Sequence, residues 1–132
     1  MQIAIVRHAE TEANKARIIQ GHKSTPLTAR GRQQAAEIGG KLRNYGAFAR
    51  IVSSDLARAK DTAALLAQSL FPCPVSNDAR LRERGYGALE GQPVFSLKRM
   101  LVAGHTDMRS LQIPGGEDYA AFEKLVGTMR EK

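Results

Sequence analysis

An α/β fold built on a parallel sheet is what this 132-residue sequence predicts. Two observations carry that expectation. Short apolar, β-branched runs alternate with longer stretches of helical apolar spacing, in the order strand, helix, strand, helix, strand, loop, helix. The first run is apolar without alternation, as in a strand covered on both faces, which is the habit of parallel sheets. It leads straight into Arg7-His8, so polar chemistry stands at the carboxyl end of a strand, where open α/β sheets bind ligands.

The elements follow in chain order. Gln2–Val6 is the first expected strand, and Ala9–Pro26 a polar loop. Thr28 is a candidate N-cap for a helix over Ala29–Tyr45, whose apolar face carries Ala35, Ile38, Leu42 and Tyr45. Gly31, Gly39 and Gly40 weaken that helix. Arg50–Ser53 is the second strand. Ser54 or Asp55 caps the next helix, which places Leu56, Ala59, Ala63, Leu66 and Leu70 on one side until Phe71-Pro-Cys-Pro74 stops it. Val75 centres a weak third strand. Residues 85–116 are rich in Gly and Pro and read as loop, with one helical stretch near Ser96–Val102. A last amphipathic helix runs from Glu117 to Arg130 on the stripe Tyr119, Phe122, Val126 and Met129. No repeat or linker divides the chain, so residues 1–132 are expected to form a single domain.

Composition narrows the function classes. Hydrophobic residues are 42% and charged residues 25%, ordinary for a globular chain. No apolar run approaches the roughly 20 residues that span a bilayer, so no membrane partner is expected. The N-terminus lacks the basic region of a signal peptide. One cysteine, Cys73, has no internal disulfide partner, which fits a cytoplasmic location. With His8, His22 and His105 scattered, no metal site is expected. The net charge of +7 favours anionic partners. With 5% aromatics, no Trp and dispersed basic residues, nucleic acid is not the expected one.

Phosphate-loop, dinucleotide and nucleophile-elbow signatures are absent. What remains is Arg7-His8-Ala-Glu-Thr11-Glu-Ala-Asn14 behind the first strand. Arginine binds phosphate through a permanently charged fork, and a neutral imidazole attacks phosphorus. Taken alone, the dipeptide also reads as a loop histidine beside a surface arginine.

The rest of the chain bears on that choice. After R-H-x-E-T-x-x-N come Gln20-Gly-His-Lys-Ser-Thr-Pro-Leu-Thr28 with Gly31, then Ser53-Ser-Asp-Leu-Ala-Arg58-Ala-x-x-Thr62, then Leu81-Arg-Glu83-Arg-x-x-Gly-x-x-Glu-Gly91, then Ile113-Pro-Gly-Gly-Glu117. Five motifs in this order resemble the histidine phosphatase superfamily, the phosphoglycerate mutase-like proteins. The small bacterial phosphoglycerate mutase-like phosphatases and the α-ribazole phosphatases look nearest. The resemblance implies a three-layer αβα fold with a mostly parallel sheet, and hydrolysis of a phosphorylated small molecule through a phosphohistidine, without cofactor or metal. His8 matches the nucleophile, Arg7 and Arg58 the phosphate-binding arginines, and Glu83 the general acid and base. Thr11, Asn14 and Gly21 match further phosphate-binding positions.

Each assignment has a plainer counterpart. Arg58 could be an exposed helix arginine, and Glu83 a surface partner of Arg82 or Arg84. Thr11 could be a loop cap, His22 a solvated loop residue, and Gly115-Gly116-Glu117 a turn before a helix. Glu90 is a rival carboxylate to Glu83, and Cys73 reads as an apolar filler. Two departures from the family stand out. Ala9 follows the nucleophile where most relatives have Gly. The second catalytic histidine, on a strand after the last helix, has no counterpart, because His105 lies before Gly-Gly-Glu117. The resemblance therefore implies a chain missing its C-terminal strand, impaired in turnover, with a hydrophobic sheet edge that a homodimer would cover. Mutase-type phosphoryl transfer and non-catalytic binding of a phosphorylated ligand stay open as alternatives.

Overall fold

A computed structural model describes residues 2–127. Its helices and strands are α1 (Glu12–Ala16), α2 (Ala29–Leu42), β1 (Ile51–Ser53), α3 (Ala57–Ser69), β2 (Val75–Asn77), α4 (Val94–Ala103) and α5 (Tyr119–Gly127). Single 3₁₀ turns occupy Arg43–Tyr45, Ala79–Leu81 and Gly87–Leu89.

The strands β1 and β2 pair in parallel, with Ile51 opposite Val75 and Ser53 opposite Asn77. Parallel strands need a crossover, and α3 supplies it. It packs on both strands, and α2 packs on α3. Close contact between the two helices depends on Gly39, where a Cβ would come within 2.6 Å of the Ser69 Cβ. Gly31 lies as tightly against the Glu10 backbone, while Gly40 faces open space. The glycines that weaken α2 in isolation are thus partly the reason it packs.

Thr28 caps α2 as its sequence suggests, its hydroxyl accepting from Gly31 N at 2.9 Å. The start of α3 differs. Leu56 holds the N-cap position without a side-chain bond. Ser54 Oγ only accepts from Leu56 N at 3.2 Å, and the Asp55 carboxylate is taken by Arg82 at 2.7 Å. An ion pair across the fold has displaced the local cap. The expected loop from Ala9 to Pro26 contains α1, a single turn too short for apolar periodicity to reveal. It is closed by a capping box between Thr11 and Asn14.

The first expected strand is corrected outright. Residues 2–10 form no strand, and Ile3 and Ile5 are 74% and 94% exposed. An apolar run records what a segment could bury, whereas a strand also needs neighbours for its backbone groups. Among the described residues none pairs with Gln2–Val6. An open groove of about 880 Å³ lies between residues 2–9 and α2, with Ile38, Leu42, Tyr45 and Phe48 in its wall.

Two apolar clusters organise the remainder. Ala9, Leu27 and Ala35 of α2 pack with Leu65 of α3. Ile19, Leu89, Leu111 and Ile113 form the other with Tyr86, Leu97, Met100 and Leu101. Cys73 is buried, as a small filler would be. The last helix begins at Tyr119 rather than Glu117. The side chain of Val126, together with Met129 and Arg130 of its expected stripe and end, lies outside the described residues. No helix among the described residues is long and apolar enough to cross a membrane.

Candidate active site

His8 follows the exposed N-terminal segment, at the point where the chain enters the core at Ala9, which is 4% exposed. Two bonds hold this junction. Ala9 N donates to Thr62 Oγ1 at 3.0 Å, docking the segment on α3. The His8 ring meets the Ala9 carbonyl through Nδ1 at 2.8 Å. A carbonyl only accepts, so Nδ1 carries the proton and the neutral ring keeps its lone pair on Nε2. Burial pushes the His8 pKa below its ordinary 6.5. The bond to the Ala9 carbonyl and the charge of Glu83 oppose that shift, and the positive charges of Arg58 and Arg7 add to it. The ring is therefore neutral at pH 7, with one nitrogen oriented and the other available.

Arg58 is not an exposed helix arginine. It is 2% exposed, on the first turn of α3. Its Nη1 donates to the Lys23 carbonyl at 2.8 Å, and its Nη2 to the Gly21 carbonyl at 2.7 Å and to Glu83 Oε2 at 3.0 Å. Ser24 Oγ accepts from its backbone N–H. A buried guanidinium needs such partners, and the loop after α1 is shaped to provide them. Arg7 is exposed, and among the described residues no group pairs with its side chain.

Glu83 pairs with neither sequence neighbour. Arg82 binds Asp55, whose carboxyl it holds below the usual range through their hydrogen bond. Arg84 is 3% exposed and donates to the carbonyls of Glu117, Met108 and Leu111. That leaves Glu83 for Arg58, with its own side chain 47% exposed.

The remaining candidates divide. Gly21 is buried at φ +54°, a conformation that favours glycine. Thr11 has no exposure at all: its hydroxyl donates toward Asn14 Oδ1 and Gln20 Oε1, and it caps α1. It serves the loop's interior and presents no surface to a ligand, so the expected contact is corrected to a cap. Asn14 uses Oδ1 in the same box, which leaves its amide nitrogen as the end open to a ligand. His22 Nε2 donates to the Glu83 carbonyl at 3.0 Å. His105 is exposed at φ +45°, beyond the end of α4.

Two contributors, Thr62 and Glu90, stand in the motifs without the role that the structure gives them. Thr62 sits four residues after Arg58, on the same face of α3, and a polar residue at that helical spacing was the available signal. Glu90 figured only as a rival acid, yet its Oε1 accepts from the backbone of His22 and of Tyr86. Tyr86 is only four residues away, but nothing in local sequence marks a carboxylate as the partner of an amide 68 positions distant.

A family model described as the histidine phosphatase superfamily (branch 1) matches residues 3–131. A relative from Salmonella paratyphi B, named "Probable phosphoglycerate mutase GpmB", is 44% identical over 124 residues. The match covers 89% of this chain and 55% of the relative, so the chain spans about half the length of the curated relatives it matches. Among solved structures, a candidate alpha-ribazole-5'-P phosphatase from Escherichia coli K-12 is similar at TM-score 0.82 and 32% identity, over 96% of this chain and 63% of that one. A phosphoglycerate mutase from Thermus thermophilus is similar at TM-score 0.72 and 30% identity, over 95% and 68%. A mycobacterial glucosyl-3-phosphoglycerate phosphatase in complex with VO3 is similar at TM-score 0.79 and 29% identity, over 94% and 62%.

Proposed function

The chain belongs to the histidine phosphatase superfamily, and from that membership we propose that it accepts a phosphoryl group from a small phosphomonoester on His8 and passes it to water. The observation that carries the proposal is the state of His8: a neutral ring whose Nδ1–H is held by the Ala9 carbonyl, beside the charges of Arg58, Arg7 and Glu83. The Nε2 lone pair forms the bond to phosphorus as the ester P–O bond breaks. Arg58 and Arg7 balance the charge on the phosphoryl oxygens, the part a metal plays elsewhere. Glu83, bound to Arg58 in the free chain, exchanges that partner for the phosphate, takes up the proton that the phosphomonoester monoanion brings, and passes it to the leaving oxygen. Water then attacks the phosphohistidine and loses its proton to Glu83, and phosphate leaves. Asn14 and Gly21 complete the phosphate cradle in this proposal.

Turnover is proposed to be weak, and a second reading, a phosphate binder that is not phosphorylated, rests on the other histidines. His22 spends Nε2 on the Glu83 carbonyl, and His105 is solvent-exposed, so neither supplies a second imidazole to the phosphoryl group. Incubation with ³²P-labelled phenyl phosphate and an alkaline quench separates the readings. Alkali-stable, acid-labile label that disappears in His8→Asn is the expected result. Phosphate binding without any label would leave only the binder.

A further inference from the structure

We propose that Glu90 is a positioning residue that fixes Glu83 against Arg58; the inference rests on the phosphoryl-transfer reading above. Glu90 follows the 3₁₀ turn Gly87–Leu89 and is half-buried. A half-buried carboxylate needs donors, and its Oε1 takes two from the backbone: His22 N at 2.9 Å and Tyr86 N at 3.0 Å. These amides belong to the two segments that grip Arg58. Upstream of one, the Gly21 carbonyl accepts from Arg58 Nη2. Upstream of the other, Glu83 Oε2 accepts from the same Nη2. The His22 ring closes the gap by donating to the Glu83 carbonyl. The bonds form one circuit: Glu90, the Gly21–His22 loop, Arg58, the Glu83–Tyr86 segment, and back to Glu90.

An independent observation supports the fit. A Cβ on Gly21 would collide with Glu90 Oε1, and would lie 2.9 Å from Tyr86 N. The loop can therefore close over the carboxylate only because this position has no side chain. Backbone bonds of Ile19 N to the Gln92 carbonyl and of Gly91 N to the Ile19 carbonyl fix the loop beside Glu90. Glu117 makes a second link, one oxygen accepting from Gly85 N at 2.6 Å and lying 3.5 Å from His22 Nε2, too far for a hydrogen bond of ordinary length. Glu90 is the carboxylate that bonds both backbones directly, and its inward oxygen is committed to amides. It acts on the substrate through Glu83.

A positioning role predicts a leaving-group signature. Phenyl phosphate needs its leaving oxygen protonated, whereas p-nitrophenyl phosphate scarcely does. The test is the single-turnover rate of His8 phosphorylation of the whole chain by each substrate, in Glu90→Ala and Glu90→Gln, with orthophosphate affinity measured calorimetrically on the same proteins. Glu90→Ala is expected to slow phenyl phosphate by about 30-fold or more and p-nitrophenyl phosphate by only a few fold, a partial loss of the roughly 10²–10⁴-fold that a general acid contributes. Glu90→Gln keeps an oxygen for both amides and is expected to restore the phenyl phosphate rate. A Glu90→Gln as slow as Glu90→Ala would make Glu90 the proton donor itself and overturn the proposal. Equal slowing of both substrates by Glu90→Ala would overturn it too, leaving a general loss of structure. Should Glu90→Ala not fold, Glu90→Asp decides: one methylene shorter, it should lose the phenyl phosphate rate selectively. If wild type forms no phosphohistidine, the phosphoryl-transfer reading fails. The circuit is then judged on orthophosphate affinity, weakened in Glu90→Ala and restored in Glu90→Gln if the proposal holds, unchanged if it does not.

Discussion

Thr62→Val isolates one bond on which the proposed nucleophile depends. Thr62 is 3% exposed, and the hydroxyl removed accepts from Ala9 N at 3.0 Å and donates to the Arg58 carbonyl at 2.7 Å. The two partners fare differently. Arg58's carbonyl keeps the backbone N–H of the helix, while the Ala9 N–H, on a residue 4% exposed, is left buried with nothing to meet. An unsatisfied buried donor costs about 1–3 kcal/mol. The new methyl, standing where the oxygen stood, also presses on Ala9 N, so the upper half of that range is expected. For a chain of this length about 2 kcal/mol is a fall in Tm of roughly 6–10 °C. Thr62→Ser keeps the hydroxyl and should lose about 1 kcal/mol or less, the value of one methyl group. Because the Ala9 carbonyl orients the His8 ring, Thr62→Val should also slow His8 phosphorylation more than Thr62→Ser does. The assay is urea and thermal unfolding of the three proteins beside label incorporation on His8. A valine variant that melts within about 1 °C of wild type would refute the reasoning.

Further expectations follow from the same geometry. Arg58→Ala strips donors from the Gly21 and Lys23 carbonyls and from Glu83, and should weaken orthophosphate binding by about 10–100-fold in titration calorimetry, at about 1.5–3 kcal/mol for a charge-assisted bond. The lowered His8 pKa sets a pH dependence. Between the folded value and 6.5 the unfolded chain binds more protons, so stability rises with pH across that window and levels off above it; His8→Asn should flatten this rise in pH-resolved urea melts. Gly40→Ala, facing open space in α2, should stabilise by about 0.5–1 kcal/mol. Gly31→Ala, whose Cβ would strike the Glu10 carbonyl, should destabilise by about 1–3 kcal/mol in the same melts. Exposed Ile3 and Ile5 offer apolar surface to a second copy, so light scattering should show a dimer that Ile5→Lys converts to monomer.

Sequence by itself determined the local part of this protein. Helix α2 and its Thr28 cap, the crossover from β1 through α3 to β2, and the residue types of the site are local patterns. Hydrophobic period, capping chemistry and motif order are written within a few residues of one another. Tertiary structure alone decided who partners whom. It turned Arg58 inward onto two carbonyls and gave Glu83 to it rather than to Arg82 or Arg84. It turned Thr11 from a ligand contact into a buried cap, and made Glu90 the tie between two backbones. Those outcomes depend on donors and acceptors brought together across as many as 68 positions, and no local pattern encodes such distances. The N-terminal segment shows the same limit from the other side. Gln2–Val6 has every local property of a strand, but a strand is a relation between chains of backbone groups, and only the surrounding structure can supply the other half.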